Sequence, residues 1–276
     1  IQGRINQMGG KIIPTQDTAQ TGPINDTSAA SYVANLVGTT VIDEVMRQDD
    51  AADRRATAQF SMKGEHAIKA LNHYYDKGVI SFEENASVAI LKIADGHFDH
   101  AGEEQIAIAH RNVDANALNA AIRLEALKRG VVDHKSVIKL SRAEYTEALP
   151  VGVGDRLRFA RAFPEADVTK SSFATVLAVT DSNMVLKVDE RAGVVSVDTQ
   201  AFNTFEYGYA ATVHKVQGMS VKGHVDYLVT GGTDSHLSTV GFTRHKMTMK
   251  AYVAGDEIPD MDALEECAVR SGLLEV

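Results

Sequence analysis

One cysteine, Cys267, stands in the whole chain, so no disulfide can form within it, and the composition fits a reducing cytoplasm. Long hydrophobic runs are missing too: none approaches the ~20 residues that cross a bilayer, which argues against a spanning segment. The first residues, Ile1-Gln2-Gly3-Arg4, lack an initiator Met and the charged-then-apolar layout of a signal peptide. They read as the start of a piece excised from something longer. A basic excess is absent, with 28 Lys and Arg against 37 Asp and Glu. That balance argues against a protein that coats nucleic acid by charge alone and leaves a local basic groove open. No H-E-x-x-H occurs, and a single cysteine argues against zinc. The H-x-x-H spacing His97-Phe98-Asp99-His100 reads as a solvated loop.

What is there suits a globular α/β chain. Hydrophobic residues make up 44% of 276 positions, enough for one large domain or two smaller ones. Lys11 to Thr15 reads as a short strand and Gln16 to Ile24 as a loop rich in turn formers. Ser28 to Val37, Asp53 to Ser61, Glu65 to Tyr75 and Glu84 to Ala94 have helical spacing, with a joint at Gly64. Gln105 to His110 reads as a central strand, followed by a helix from Ala115 to Arg129 that Asp114 caps. From Val151 to Phe205 the texture changes to short β-rich segments divided by turns, as in a small barrel. Gly152-Val153-Gly154 is no dinucleotide fingerprint, because a strand follows it instead of a helix. Val225 to Val229 is a buried strand, His236 to Phe242 a helix started by Asp234 or Ser235, and Met249 to Val253 a closing strand before an acidic tail.

The densest set of polar groups lies in Tyr207-Gly208-Tyr209-Ala210-Ala211-Thr212-Val213-His214-Lys215-Val216-Gln217-Gly218-Met219-Ser220. Its apolar start and polar finish suit a strand that delivers a loop to one edge of an α/β sheet, where ligands bind. Thr, His and Lys can all donate to phosphate oxygens. The pattern A-x-T-x-H-K-x-Q-G resembles motif V of superfamily-1 DNA helicases. It is most similar to the RecD-like branch (superfamily 1B) and to the helicase half of conjugative relaxases of the TraA type (MobA/TraA-like).

Other segments resemble that family in the same order. Asp17, Gln20, Pro23 and Ile24 match motif III, with Gln16 where the family has Gly. Arg47-Gln48 is similar to the end of motif IV. "V-G-D-R-L-R-F" from Val153 to Phe159 resembles the opening of an SH3-like insertion called 2B, with Ser171-Ser172 in place of its usual Asn-Gly turn. Thr243, Arg244 and His245 match motif VI, with Thr239-Val240-Gly241 standing for Tyr-Val-Ala.

The resemblance implies a RecA-like (P-loop NTPase type) second motor domain. Residues 1–27 would end the first RecA-like domain, 28–150 would begin domain 2A, 151–206 would be the SH3-like β-barrel, and 207–276 would complete domain 2A. Arg244, Arg47 and Gln20 would be catalytic. Gln20, Arg47, Gln217, Gly218 and Arg244 would face the nucleotide. Thr212, His214, Lys215 and Asn112 would contact single-stranded DNA. A G-x-x-x-x-G-K-[ST] loop is absent, the nearest stretch being Gly218 to Gly223, and no acidic magnesium motif precedes motif III. ATP and magnesium are therefore expected in a longer parent and not tightly on this chain. Its implied partners are single-stranded DNA, the parent's first RecA-like domain and conjugative transfer proteins. Two other readings stand beside the motor: a motor-inactive scaffold that binds DNA or docks proteins, and a peptide-binding barrel. For His214 a structural histidine, and for Arg47 and Lys215 a solvated charge, are the bland alternatives.

Overall fold

The computed structural model describes residue 36 and residues 47–100, 104–133, 137–140, 149–189 and 191–270. The motif III stretch with Gln20, the first strand, most of the Ser28–Val37 helix and the body of motif IV lie outside them.

Helix α1, Ala51–Met62, starts at Asp50, whose carboxylate accepts from the Ala52 and Asp53 amides. It ends at Lys63 and Gly64, both at positive φ, and α2, Glu65–Asp76, follows. Strand β1 is Ile80–Glu83. Helix α3, Ala86–Gly96, is capped by Asn85. Strand β2, Gln105–Ala109, leads into α4, Asn112–Lys128. This helix begins three residues before the sequence expectation. Asp114 lies inside its first turn and does not cap it: the carboxylate takes Arg111 Nε at 2.6 Å and Thr230 Oγ1 at 3.2 Å instead.

An antiparallel insert follows. Strands β3, Val137–Leu140, and β4, Leu149–Gly152, form a hairpin. Strands β5, Arg156–Phe159, β6, Phe173–Val179, β7, Asn183–Val188, β8, Val195–Asp198, and β9, Phe205–Tyr207, form a five-stranded sheet in the order β8-β7-β6-β5-β9. Alternate residues such as Met184, Leu186 and Val188 turn inward to its core with Phe159 and Phe205. The β5–β6 turn differs from an Asn-Gly turn through Ser171, which adopts φ 72°, donates its amide to Phe159 and accepts Arg158 on its hydroxyl.

The chain re-enters the first unit at once. Strand β10, Ala210–Thr212, pairs with β2; β11, His224–Val229, α5, Ser235–Phe242, β12, Thr248–Ala254, and α6, Met261–Val269, complete it. All five strands run parallel in the order β1-β12-β11-β2-β10. Parallel strands need cover on both faces. One face packs on α1, α2, α5 and α6 through Phe60, Tyr74, Leu237, Phe242 and Leu264. The other packs on α3 and α4 through Ile93, Leu118 and Ile122.

Insert and sheet meet at a dense polar joint. Arg123 of α4 grips the fully buried Asp155 with two hydrogen bonds, at 2.9 and 3.0 Å. Tyr209 Oη and the Gly152 amide donate to the same carboxylate, each at 2.8 Å. Asn119 fixes the start of β10: its amide group donates to Ala210 O, and its oxygen accepts from the Tyr209 and Ala210 amides. Between the two sheets sits Gly208, where a Cβ would lie 2.8 Å from the Leu157 carbonyl group.

Candidate functional site

In a parallel sheet every strand ends on the same edge, and the loops there collect side chains from several strands. Thr212, at the end of β10, stands opposite Ala109 of β2. The following turn holds His214, exposed, and Lys215, half-buried. Asn112 opens α4 on the same edge, with its side chain exposed. The four residues expected to touch DNA therefore gather at one edge. Thr212 itself is buried, and its carbonyl accepts the Lys215 and Val216 amides.

The charge at this edge is tempered. Arg111 is held by Asp114 and by Glu257, at 3.0 and 3.1 Å from the latter, and these partners raise its pKa further. It is a structural clamp between α4 and the turn after β12. His110 follows β2 and lies by Gly232, and burial lowers its pKa, helped by nearby His214 and Arg111 against Asp234 and Asp114. Lys215 Nζ donates to Glu206 Oε2 at 3.1 Å, and Arg158 donates to the same oxygen at 2.5 Å.

The motif V stretch does not stay at that edge. After the turn it crosses the α1/α2 face, burying Val213, Val216 and Val221. It arrives at the opposite edge, where Val221 pairs with His245 ahead of β11 and β12. By strand register, with Thr212 level with Leu228, this places Thr212 and Val221 roughly 20 Å apart along the sheet. The strand delivers its loop to one edge, as the sequence order suggests, and the remainder of the stretch runs on to the other. The reason is topological: β10 and β11 are parallel, so the connection must return to the start of the next strand.

At the second edge the segments resembling motifs IV, V and VI converge. Arg47 donates through Nε to Ser220 Oγ at 2.8 Å and through Nη1 to Thr243 O at 2.5 Å. Arg244, 1% exposed, donates to Val240 O at 3.0 Å, Met219 O at 3.2 Å and Thr243 Oγ1 at 3.0 Å. Gln217 and Gly218 precede this cluster directly, Gly218 at φ 85° in the tightening turn. Two residues with no role assigned from sequence back it. Gln48 is buried and donates to Thr243 O and His245 O. Asp53 is buried 3.9 Å from His245 Nε2 and paired with His73 and Lys77. Burial opposes its ionisation, but His245, Lys77 and His73 outweigh burial and hold its pKa below the ordinary value. A lone Asp in a helical first turn carries no signal of that role.

The H-x-x-H segment is not a solvated loop. His97 is buried 3.6 Å from Asp226, and His100 stacks on His224 with centroids 3.8 Å apart. Asp226 accepts from His224 at 3.2 Å; despite burial, its contacts with His224 and His97 lower its pKa. Among the described residues no group of three or more His, Cys, Asp or Glu is placed to hold a metal ion. No described helix is long and apolar enough to cross a membrane.

The architecture is α/β: a parallel five-stranded sheet covered on both faces, with an antiparallel insert before its edge strand. The Pif1 helicase from Bacteroides, solved in complex with ADP-AlF3 and ssDNA, has the same fold with a TM-score of 0.51 and 11% identity, over 90% of this chain and 64% of that one. The chain is a distant homologue of the conjugal transfer protein TraA. It is 27% identical over 249 residues to TraA of Rhizobium radiobacter and equally so to TraA of Agrobacterium fabrum, across 88% of this chain in each case. It spans about a fifth of the length of these curated relatives, 22%. No family model matches.

Proposed function

We propose that this chain is the second RecA-like half of an ATP-dependent, 5′-to-3′ single-stranded-DNA motor within a conjugal transfer protein. The observation that carries the reading is the convergence of Arg47, Ser220 and Arg244 around Thr243, three segments remote in sequence at one edge of the sheet. The donor set fits a polyphosphate: two guanidiniums and a hydroxyl, with planar forks suited to phosphate oxygens. ATP with magnesium, held mainly by a first RecA-like domain that carries Gln20 at its edge, supplies the free energy of hydrolysis.

This chain's residues divide the work by sheet edge. Arg47 and Arg244 supply positive charge to the nucleotide side, where an arginine is worth ~10³-fold or more in rate. Arg244 reaches out only by exchanging its bonds to Val240 and Met219, so domain closure is the step that presents it. Gln217 and Gly218 link that cluster to the grip. Thr212, His214, Lys215 and Asn112 hold the strand by its backbone, which positions it without reading sequence. The connection from Val213 to Ser220 joins the two, so a shift at Arg47 is carried to the grip. The insert, residues 151–206 in this division, serves as the SH3-like 2B element beside the grip, and residues 28–150 and 207–276 form the motor domain.

The test is DNA-stimulated ATP turnover by the longer parent. Arg244→Ala is expected to abolish turnover while leaving single-stranded-DNA binding in place. Wild-type turnover in that variant would overturn the motor role and favour a scaffold that binds DNA or proteins without hydrolysis.

A further inference from the structure

The insert and the grip share one carboxylate. Glu206, on the last insert strand β9, accepts from Arg158 at 2.5 Å and from Lys215 at 3.1 Å through the same oxygen. Arg158 is nearly buried, 4% exposed, and Ser171 anchors its other branch, so it is fixed in the insert. Lys215 is 34% exposed and sits on a turn, with a flexible stem. Of the two cations, only Lys215 can leave.

We propose that Glu206 is a positioning residue that latches Lys215 to the insert and competes with DNA phosphate for it, an inference that rests on the proposed DNA grip. Arg158 keeps Glu206 ionised and in place, and Lys215 closes onto it when no strand is bound. A phosphate at His214 and Thr212 offers Lys215 an equivalent anion. The ammonium exchanges one oxygen ligand for another, and Arg158 retains the carboxylate. Strand occupancy is then felt by β9 and through it by the insert sheet. No bond is made or broken, so the exchange is reversible with each step along the strand.

The experiment measures oligo-dT affinity against salt for this chain with Glu206→Gln, Lys215→Gln and the double substitution. A freed Lys215 adds one phosphate contact, so Glu206→Gln is expected to bind more tightly. Its log–log salt slope should steepen by about 0.7, an extra loss of roughly 2- to 3-fold between 50 and 200 mM salt. In the Lys215→Gln background the same change should do nothing to the slope. An equal gain with and without Lys215, or an unchanged slope, would overturn the latch. Absence of oligo-dT binding by the wild type and every variant, and by the longer parent, would overturn the DNA reading beneath it. Should Glu206→Gln fail to fold, Glu206→Asp keeps a carboxylate for Arg158 and shortens its reach by a methylene; it is expected to shift the slope in the same direction.

Discussion

Arg47 and Ser220 are 173 positions apart in sequence and 2.8 Å apart in space, guanidinium Nε to hydroxyl. The contact joins the start of the described fold to the end of the stretch that leaves the Thr212 edge of the sheet. It places a phosphate-binding type of side chain at the foot of the connection that leads to Lys215. If that bond orients Arg47, the two residues act as a unit and their losses should not add. In the parent, Arg47→Ala should lower DNA-stimulated turnover strongly and Ser220→Ala less. The double variant should match Arg47→Ala alone. Additive losses would show that Ser220 acts independently of Arg47.

The joint between insert and sheet is expected to dominate stability. Asp155 is fully buried and receives Arg123, Tyr209 and the Gly152 amide. Removing one partner of a buried ion pair strands the other, at about 3–5 kcal/mol. Arg123→Met should therefore lower the urea midpoint by that equivalent. A shift under about 1 kcal/mol would mean that the tyrosine and the backbone carry the site without the arginine.

Gly208→Ala tests the passage from β9 to β10. Its added methyl would stand 2.8 Å from the backbone of Leu157, which cannot rotate aside. Overpacking of this kind costs about 1–3 kcal/mol. Denaturation should show that loss, and a urea midpoint equal to that of the wild type would mean that the passage relaxes around the methyl.

Acid should loosen the cluster behind Arg244. Asp53 has its folded-state pKa held below the ordinary 3.8 by His245, Lys77 and His73 against the effect of burial. The unfolded chain thus takes up the proton first. The stabilisation is complete above about pH 5 and is lost as pH falls through the ordinary carboxylate range towards the depressed native value. Asp53→Asn should flatten the acid limb of stability measured by urea denaturation between about pH 3 and 7. An acid limb unchanged by the substitution would assign the loss to other carboxylates.

How much of this was legible in sequence follows from the range of each interaction. Helical spacing marked α2, and the Asp234 start marked α5, because an apolar stripe and a cap are both local signals. Alternation marked β7. Strand β1 carried no such signal: four residues at a sheet edge, buried only at Ile80 and Glu83, do not alternate. The start of α4 was misplaced because Asp114 resembles a cap in sequence but spends its carboxylate on Arg111 and Thr230. The resemblance to helicase motifs singled out Arg47, Thr212, His214, Lys215 and Arg244 one by one, but their placement at two edges of the sheet was not legible. That division depends on β10 and β11 being parallel, a pairing set by β2 between them. Asp53 and Glu206 act through tertiary partners and left no mark in their own neighbourhoods, and Gln48 stood out only as the neighbour of Arg47.

A composite motor of which this chain supplies one half needs both halves to turn over ATP. It is tested most directly by measuring ATP turnover of the longer parent and of this chain side by side, with and without single-stranded DNA. Turnover by the parent that DNA stimulates, with none by the chain alone, is the result predicted. A folded parent that binds DNA and hydrolyses no ATP would contradict the account.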